Sequence, residues 1–186
     1  MRDLDLIGIV VSKVEEVLAT RQFPYVVVQK DQSTQQGIPS QGTVFFEILF
    51  NDYYGHPTSE FGFNELRNEF ELTEKQMMLT TFQFSCLIPQ DPRNPQAPTA
   101  KDVLDYVKRA ISGRYMARQF VKSGINIFRV SQVRAGWFED DNHQFENHPT
   151  FDLEIAHSSD VVFATPKIDK VEPKEVPPYG SGTFPV

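Results

Sequence analysis

Two histidines flank a glutamate in the stretch DNHQFENHPTFDLEI, which runs from Asp141 to Ile155. His143, Glu146 and His148 are residue types that ligate zinc, and a zinc ion with one open position activates water for hydrolysis. The spacing opposes that chemistry. On an extended chain positions 143 and 148 point to opposite faces, and Pro149 fixes the backbone directly after the second histidine. A small metal-dependent hydrolase is therefore the weaker reading. The stronger is a solvated hairpin whose histidines lie in the turn and lend assembly at most a mild pH sensitivity. His56 in YYGHP and His157 at a strand end have no neighbouring serine, cysteine or acid pattern that suggests a nucleophilic triad. Cys86 sits on an apolar strand face and reads as a small buried hydrophobe. A glycine-rich phosphate loop is also missing. No catalytic, cofactor-binding or metal residue is assigned, and no cofactor is expected.

The elements that carry these residues follow from periodicity. Leu4, Ile7, Val11, Val14 and Leu18 step by three and four, which predicts an amphipathic helix capped by Asp3 and ending near Thr20. YVVVQ is a β-branched strand, and the polar loop from Gln29 to Gly42 follows it. In TVFFEILF the residues Val44, Phe46, Ile48 and Phe50 share one face. Phe82, Phe84, Cys86 and Ile88 share a face of a second strand, from about Gln76. The two strands are expected to pair, with Asp52 to Lys75 as a decorated connection. Past the proline-rich PQDPRNPQAP, Thr99 caps a helix with Asp102 in its first turn. Val103, Tyr106, Val107, Ala110 and Ile111 form its apolar stripe, and Gly124 stops it after Lys122. INIFRVSQV and TFDLEIAH are strands. The expected fold is α+β, two helices packed on a mainly antiparallel β-sheet, with an extended C-terminal tail. Residues 1–165 form a single domain, and 166–186 are a Pro/Gly-rich tail.

Composition sets outer limits. The chain has 186 residues, enough for one core, and its 16 Phe are more than a modest core absorbs, which favours contacts with other chains. A net charge of −7 opposes non-specific binding of DNA. The lone cysteine forms no intrachain disulfide, which suits a reducing compartment. No run nears the roughly 18 apolar residues of a membrane span, and acids precede the first apolar run, so an unexported soluble protein without membrane contact is expected.

Charge is unevenly placed. Lys101, Lys108, Arg109, Arg114, Arg118, Lys122, Arg129 and Arg134 face only Asp102 and Asp105 in their segment. From Glu139 to Asp160 the charges are all acidic, including Asp140, Asp141 and Glu146. Either these are two solvated faces, or one subunit's acidic hairpin meets the next subunit's basic helix in a head-to-tail ring. In the second case Arg114, Arg118 and Lys122 form one ridge of that helix, Glu139, Asp140, Asp141 and Glu146 oppose it, and Phe145 is the anchor.

Three places carry a resemblance to bacteriophage neck and tail terminator proteins. These are the helix IGIVVSKVEEVL with the FPYVVVQ strand, the hairpin and strand of WFEDDNHQFENHPTFDLEIAH, and the order of elements between them, including a helix from Thr99 to Lys122. The resemblance spans Met1 to Ala164. It implies a structural virion protein, made in the host bacterial cytoplasm, with no catalytic residues. Such proteins form a homo-oligomeric ring, most often a hexamer, that ends the tail tube, meets tube and sheath proteins, and joins the head connector. Genome DNA transits the lumen, and an acidic chain suits a channel that does not hold it. The loop from Gln29 to Gly42 and the tail from Pro166 are expected to reach a neighbouring ring. The alternative virion role is a baseplate or tail accessory protein.

Overall fold

The computed structural model describes residues 3–30, 42–89, 93–94, 96–139 and 145–165. In chain order it places α1 (Asp3–Thr20), β1 (Val26–Gln29), β2 (Thr43–Asn64), β3 (Glu69–Leu87), α2 (Ala100–Ile111), α3 (Arg114–Lys122), β4 (Ile125–Val130), β5 (Trp137–Glu139), β6 (Phe145–Asn147) and β7 (Thr150–Thr165). The fold is α+β. Five strands form one sheet in the order β1-β2-β3-β7-β4, in which β1 runs parallel to β2 and the other pairings are antiparallel.

The three helices cover one face of this sheet. Facing side chains line up across the strands as Val44 with Cys86, Phe46 with Phe84 and Phe151, and Ile48 with Phe82 and Leu153. Phe84 and Phe151 stack at 5.2 Å between ring centroids, and Phe46 leans on Phe82 and Phe84 at 6.5 and 6.3 Å. Val103, Leu104, Val107 and Ile111 from α2, with Met116 and Phe120 from α3, close the core above them. The predicted Phe151, Leu153 and Ile155 face is fully buried.

Asp3 is itself helical and therefore no cap, and helix α1 ends at Thr20 as expected. Its buried stripe is Leu6, Val10, Val14, Val17 and Leu18, whereas Leu4 is 78% exposed. With Ile9, Val10 and Val11 consecutive, the helix carries two adjacent apolar stripes. Periodicity does not choose between them, and packing on the sheet does.

The predicted helix from Thr99 to Lys122 is two helices. Its start is as expected: the Asp102 amide donates to Thr99 Oγ1 (3.2 Å) and the Asp102 carboxylate accepts from the Thr99 amide (3.0 Å) and hydroxyl (2.8 Å). These bonds, the backbone one foremost, hold the Asp102 carboxyl below its ordinary value. Thr99→Ala is expected to cost about 1 kcal/mol, a typical cap loss. A urea midpoint matching the unsubstituted chain would refute that role. The break comes at Ser112, whose hydroxyl donates back to Lys108 O (2.8 Å), and Gly113, which caps α3 in extended conformation. Met116 and Phe120 then turn inward, out of phase with Val103, Val107 and Ile111. Gly124, at φ 78°, ends α3 as predicted.

The largest departure lies between Asp52 and Lys75. Instead of a decorated connection, β2 and β3 stay paired from Thr43–Leu87 out to Asn64–Glu69, and β7 flanks β3 as far as Thr165. NDYYGHPTSE reads as a break because of Gly55 and Pro57. Both fall in an irregularity between Tyr54 and Thr58, with Gly55 at φ 75°, and the strand continues beyond it. At the tip, Asn64 Oδ1 accepts from the amides of Leu66 (3.1 Å) and Arg67 (3.3 Å), which shapes the turn 65–68.

Candidate functional site

The predicted basic ridge is present on α3. Arg114, Arg118 and Lys122 are exposed, opposite the buried Met116 and Phe120. At 100° per residue, Tyr115 and Val121 fall on the same outward face, and they are 64% and 58% exposed. None of the three cations has an ion pair among the described residues. Other members of the basic segment are neutralised inside the chain. Arg134 holds both Asp152 carboxylate oxygens at 2.7 Å, and Arg129 lies 3.9 Å from Glu154. The acidic block 139–160 is therefore not one surface, because Asp152 and Glu154 face their partners across β7 and its neighbours.

Asp152 also accepts from Gln83 Nε2 (3.0 Å), and Lys30 pairs with Glu47 (2.8 Å) on the same side. These residues make a polar row across the sheet face that the helices leave open. Such exposed pairs fix geometry more than they stabilise.

The hairpin of the opening motif exists as β5 and β6, in the register Trp137–Asn147, Phe138–Glu146 and Glu139–Phe145. Asp140, Asp141 and His143 lie outside the described residues, and of Glu139, Phe145 and Glu146 only the backbone is described. His148 follows β6, where its amide donates to Gly136 O (2.8 Å). Burial, then the Lys30 cation, hold its pKa below the usual histidine value, with Glu47 opposing. His157 does not end a strand. It is buried mid-β7 with Nε2 2.9 Å from Thr80 Oγ1. Burial pushes the Cys86 thiol up to about 12, so this cysteine is no thiolate nucleophile at neutral pH. Among the described residues no group of three His, Cys, Asp or Glu could hold a metal ion, and no helix is long and apolar enough to cross a membrane.

Sequence reasoning missed the arm formed by β2, β3 and the end of β7. On its helix side Phe61 and Phe63 face Leu72 and Phe70, and Phe163 faces Leu72 from β7. Phe61 is 71% exposed, Phe63, Phe70 and Phe163 are also exposed, and Leu66 at the tip is 99% exposed. The alternation of Phe61 with Phe63 and Phe70 with Leu72 is a strand signal, hidden behind the Gly55 and Pro57 breakers.

The fold is shared with solved structures. One similar solved structure is described as "Cryo-EM Structure of an Extracellular Contractile Injection System, PVC sheath/tube terminator in extended state". It superposes with a TM-score of 0.50 at 10% identity, covering 98% of this chain and 66% of that one. This chain thus spans just under two thirds of that protein's length. The class this likeness defines is one of fold, that of the sheath/tube terminator. The family described as "E217 gateway protein gp29" matches residues 5–167, and the chain belongs to it. No curated protein matches the sequence significantly.

Proposed function

We propose that this chain is a virion subunit that forms a ring, hexameric by the resemblance, at the phage neck. There it ends the tail tube and joins it to the head connector. Membership of the gateway family over residues 5–167 carries this reading, and the terminator fold of the injection-system protein supports it. Tail tube and sheath proteins are the partners on one side and the connector or stopper on the other. Genome DNA passes through the lumen, and the net charge of −7 suits passage without retention. Residues 1–165 act as one unit. The loop from Gln29 to Gly42 and the tail 166–186 are the segments that reach neighbouring rings.

Within the ring, Arg114, Arg118 and Lys122 form one side of the subunit contact. The segment holding Glu139, Asp140, Asp141, Phe145 and Glu146 remains a second contact region. Arg114→Glu with Arg118→Glu is expected to weaken assembly while leaving the fold intact, since both side chains are exposed. An unchanged oligomer mass in light scattering at physiological salt would remove α3 from the interface.

A further inference from the structure

The arm projects where none of the described helices follows. The last buried row joins Met78, His157 and Ile125, and the row at Phe63, Phe70 and Thr165 lies eight residues farther along β3. At about 3.3 Å per residue that is roughly 26 Å. β3 and β7 are held in continuous register over this distance, and β2 rejoins β3 at Thr58 after its irregularity, so the arm does not bend back to cover its own apolar side. Exposed aromatic side chains clustered this far from the core mark a contact with another chain. Phe63 and Phe70 already meet edge to face at 5.1 Å, which presents a preformed surface.

The charge around this cluster identifies the partner. Within residues 58–75 the acids are Glu60, Glu65, Glu69, Glu71 and Glu74, against Arg67 and Lys75. Lys75 is engaged by Glu60 (2.7 Å), and Arg67 lies near Glu69 and Glu71. Glu65 and Glu74 have no ion pair among the described residues. On the aromatic side of the arm Glu74 stands one row inboard of Leu72 and Glu65 lies in the turn at the tip, so an acid sits at each end of the cluster, while Glu60, Glu69 and Glu71 belong to the other face. The outward face of α3 is its counterpart: Arg114, Arg118 and Lys122 run down its middle, Val121 and Tyr115 flank them, α3 itself carries no acid, and the Tyr115 hydroxyl donates to Glu16 of α1 (3.4 Å).

We propose that the β2–β3–β7 arm of one subunit docks on the α3 face of a second copy of this chain. Glu65 and Glu74 meet the arginine ridge, and the aromatic side chains of the arm pack on Tyr115 and Val121 beside it. The contact joins two different surfaces, so it is heterologous and closes into a ring when the rotation permits. It rests on the ring reading and names the acidic partner of α3 as the arm.

Light scattering over a concentration series tests it, on the full chain. Phe61→Ser with Phe163→Ser, and separately Glu65→Arg with Glu74→Arg, are expected to raise the half-assembly concentration at least about tenfold. Their circular dichroism and melting should match the parent, because the altered side chains lie outside the core. Adding Arg114→Glu and Arg118→Glu to the arm charge variant should restore assembly. A parent chain that is a monomer at every concentration overturns the ring reading itself. A parent ring that survives both arm variants overturns the arm contact alone, as does failure of the charge swap to restore assembly. Rings that persist but no longer attach to purified tail tubes also overturn it, and give the arm to the tube.

Discussion

Phe84→Ala is expected to lower the unfolding free energy by about 3–5 kcal/mol, the usual cost of truncating a buried phenylalanine. The upper half of that range applies here for geometric reasons. Phe84 lies in the central row of the sheet, stacked on Phe151 on one side and leaning on Phe46 on the other, and all three are buried. The strands that hold its neighbours are paired on both edges of β3, so the sheet has little freedom to collapse into the space left behind. Urea denaturation of the two chains measures the loss. Phe61→Ala on the arm supplies the control. That side chain is mostly exposed, and its removal should change stability by no more than about 0.5 kcal/mol. Equal midpoint shifts for the two substitutions would mean that the arm belongs to the cooperative core, and would sink both assignments.

That contrast also explains what was legible in the sequence. Where a residue's role is local, the sequence displays it. Thr99 with Asp102 forms its cap, Gly124 ends its helix, and the alternation of Phe151, Leu153 and Ile155 gives the buried face of β7. Where two local solutions are equally good, tertiary packing decides. The stripe of α1 is one such choice, and the break at Ser112 and Gly113 is another, because a single glycine in an otherwise good helix pattern does not announce a new helix axis. The arm was hidden for a third reason. Gly55 and Pro57 ordinarily end strands, but β2 absorbs them as an irregularity and regains its register with β3 at Thr58 and Lys75. The candidate surface was half legible: the ridge of α3 follows from four-residue spacing, but which acids oppose it depends on long-range pairing. Asp152 and Glu154 look like part of an acidic surface until Arg134 and Arg129 are brought alongside them.

Gly136→Ala is expected to destabilise the protein by about 2–4 kcal/mol, combining overpacking at roughly 1–3 kcal/mol with one lost hydrogen bond at roughly 1. A Cβ on residue 136 would lie 2.3 Å from the carbonyl oxygen of His148, a backbone atom with no rotamer to relieve the clash. The two chains meet here because Arg134 and Thr150 exchange backbone hydrogen bonds of 2.7 and 3.0 Å, and Gly136 accepts from the His148 amide two residues on. This ladder carries β5 and β6 out from the end of β7. Adding a methyl group forces the strands apart at the base of β5 and β6, while the Arg134–Asp152 pair, directed to the sheet, keeps the inner end of the ladder in place. The damage should therefore be local. Amide exchange at His148 is expected to accelerate by at least about tenfold, with Ile155 in the buried centre of β7 tracking only the global stability. Protection at His148 equal to the parent, with stability within about 0.5 kcal/mol of it, would show that the close approach is relieved without moving the hairpin. The segment from Glu139 to Glu146 would then be held by something other than this seam.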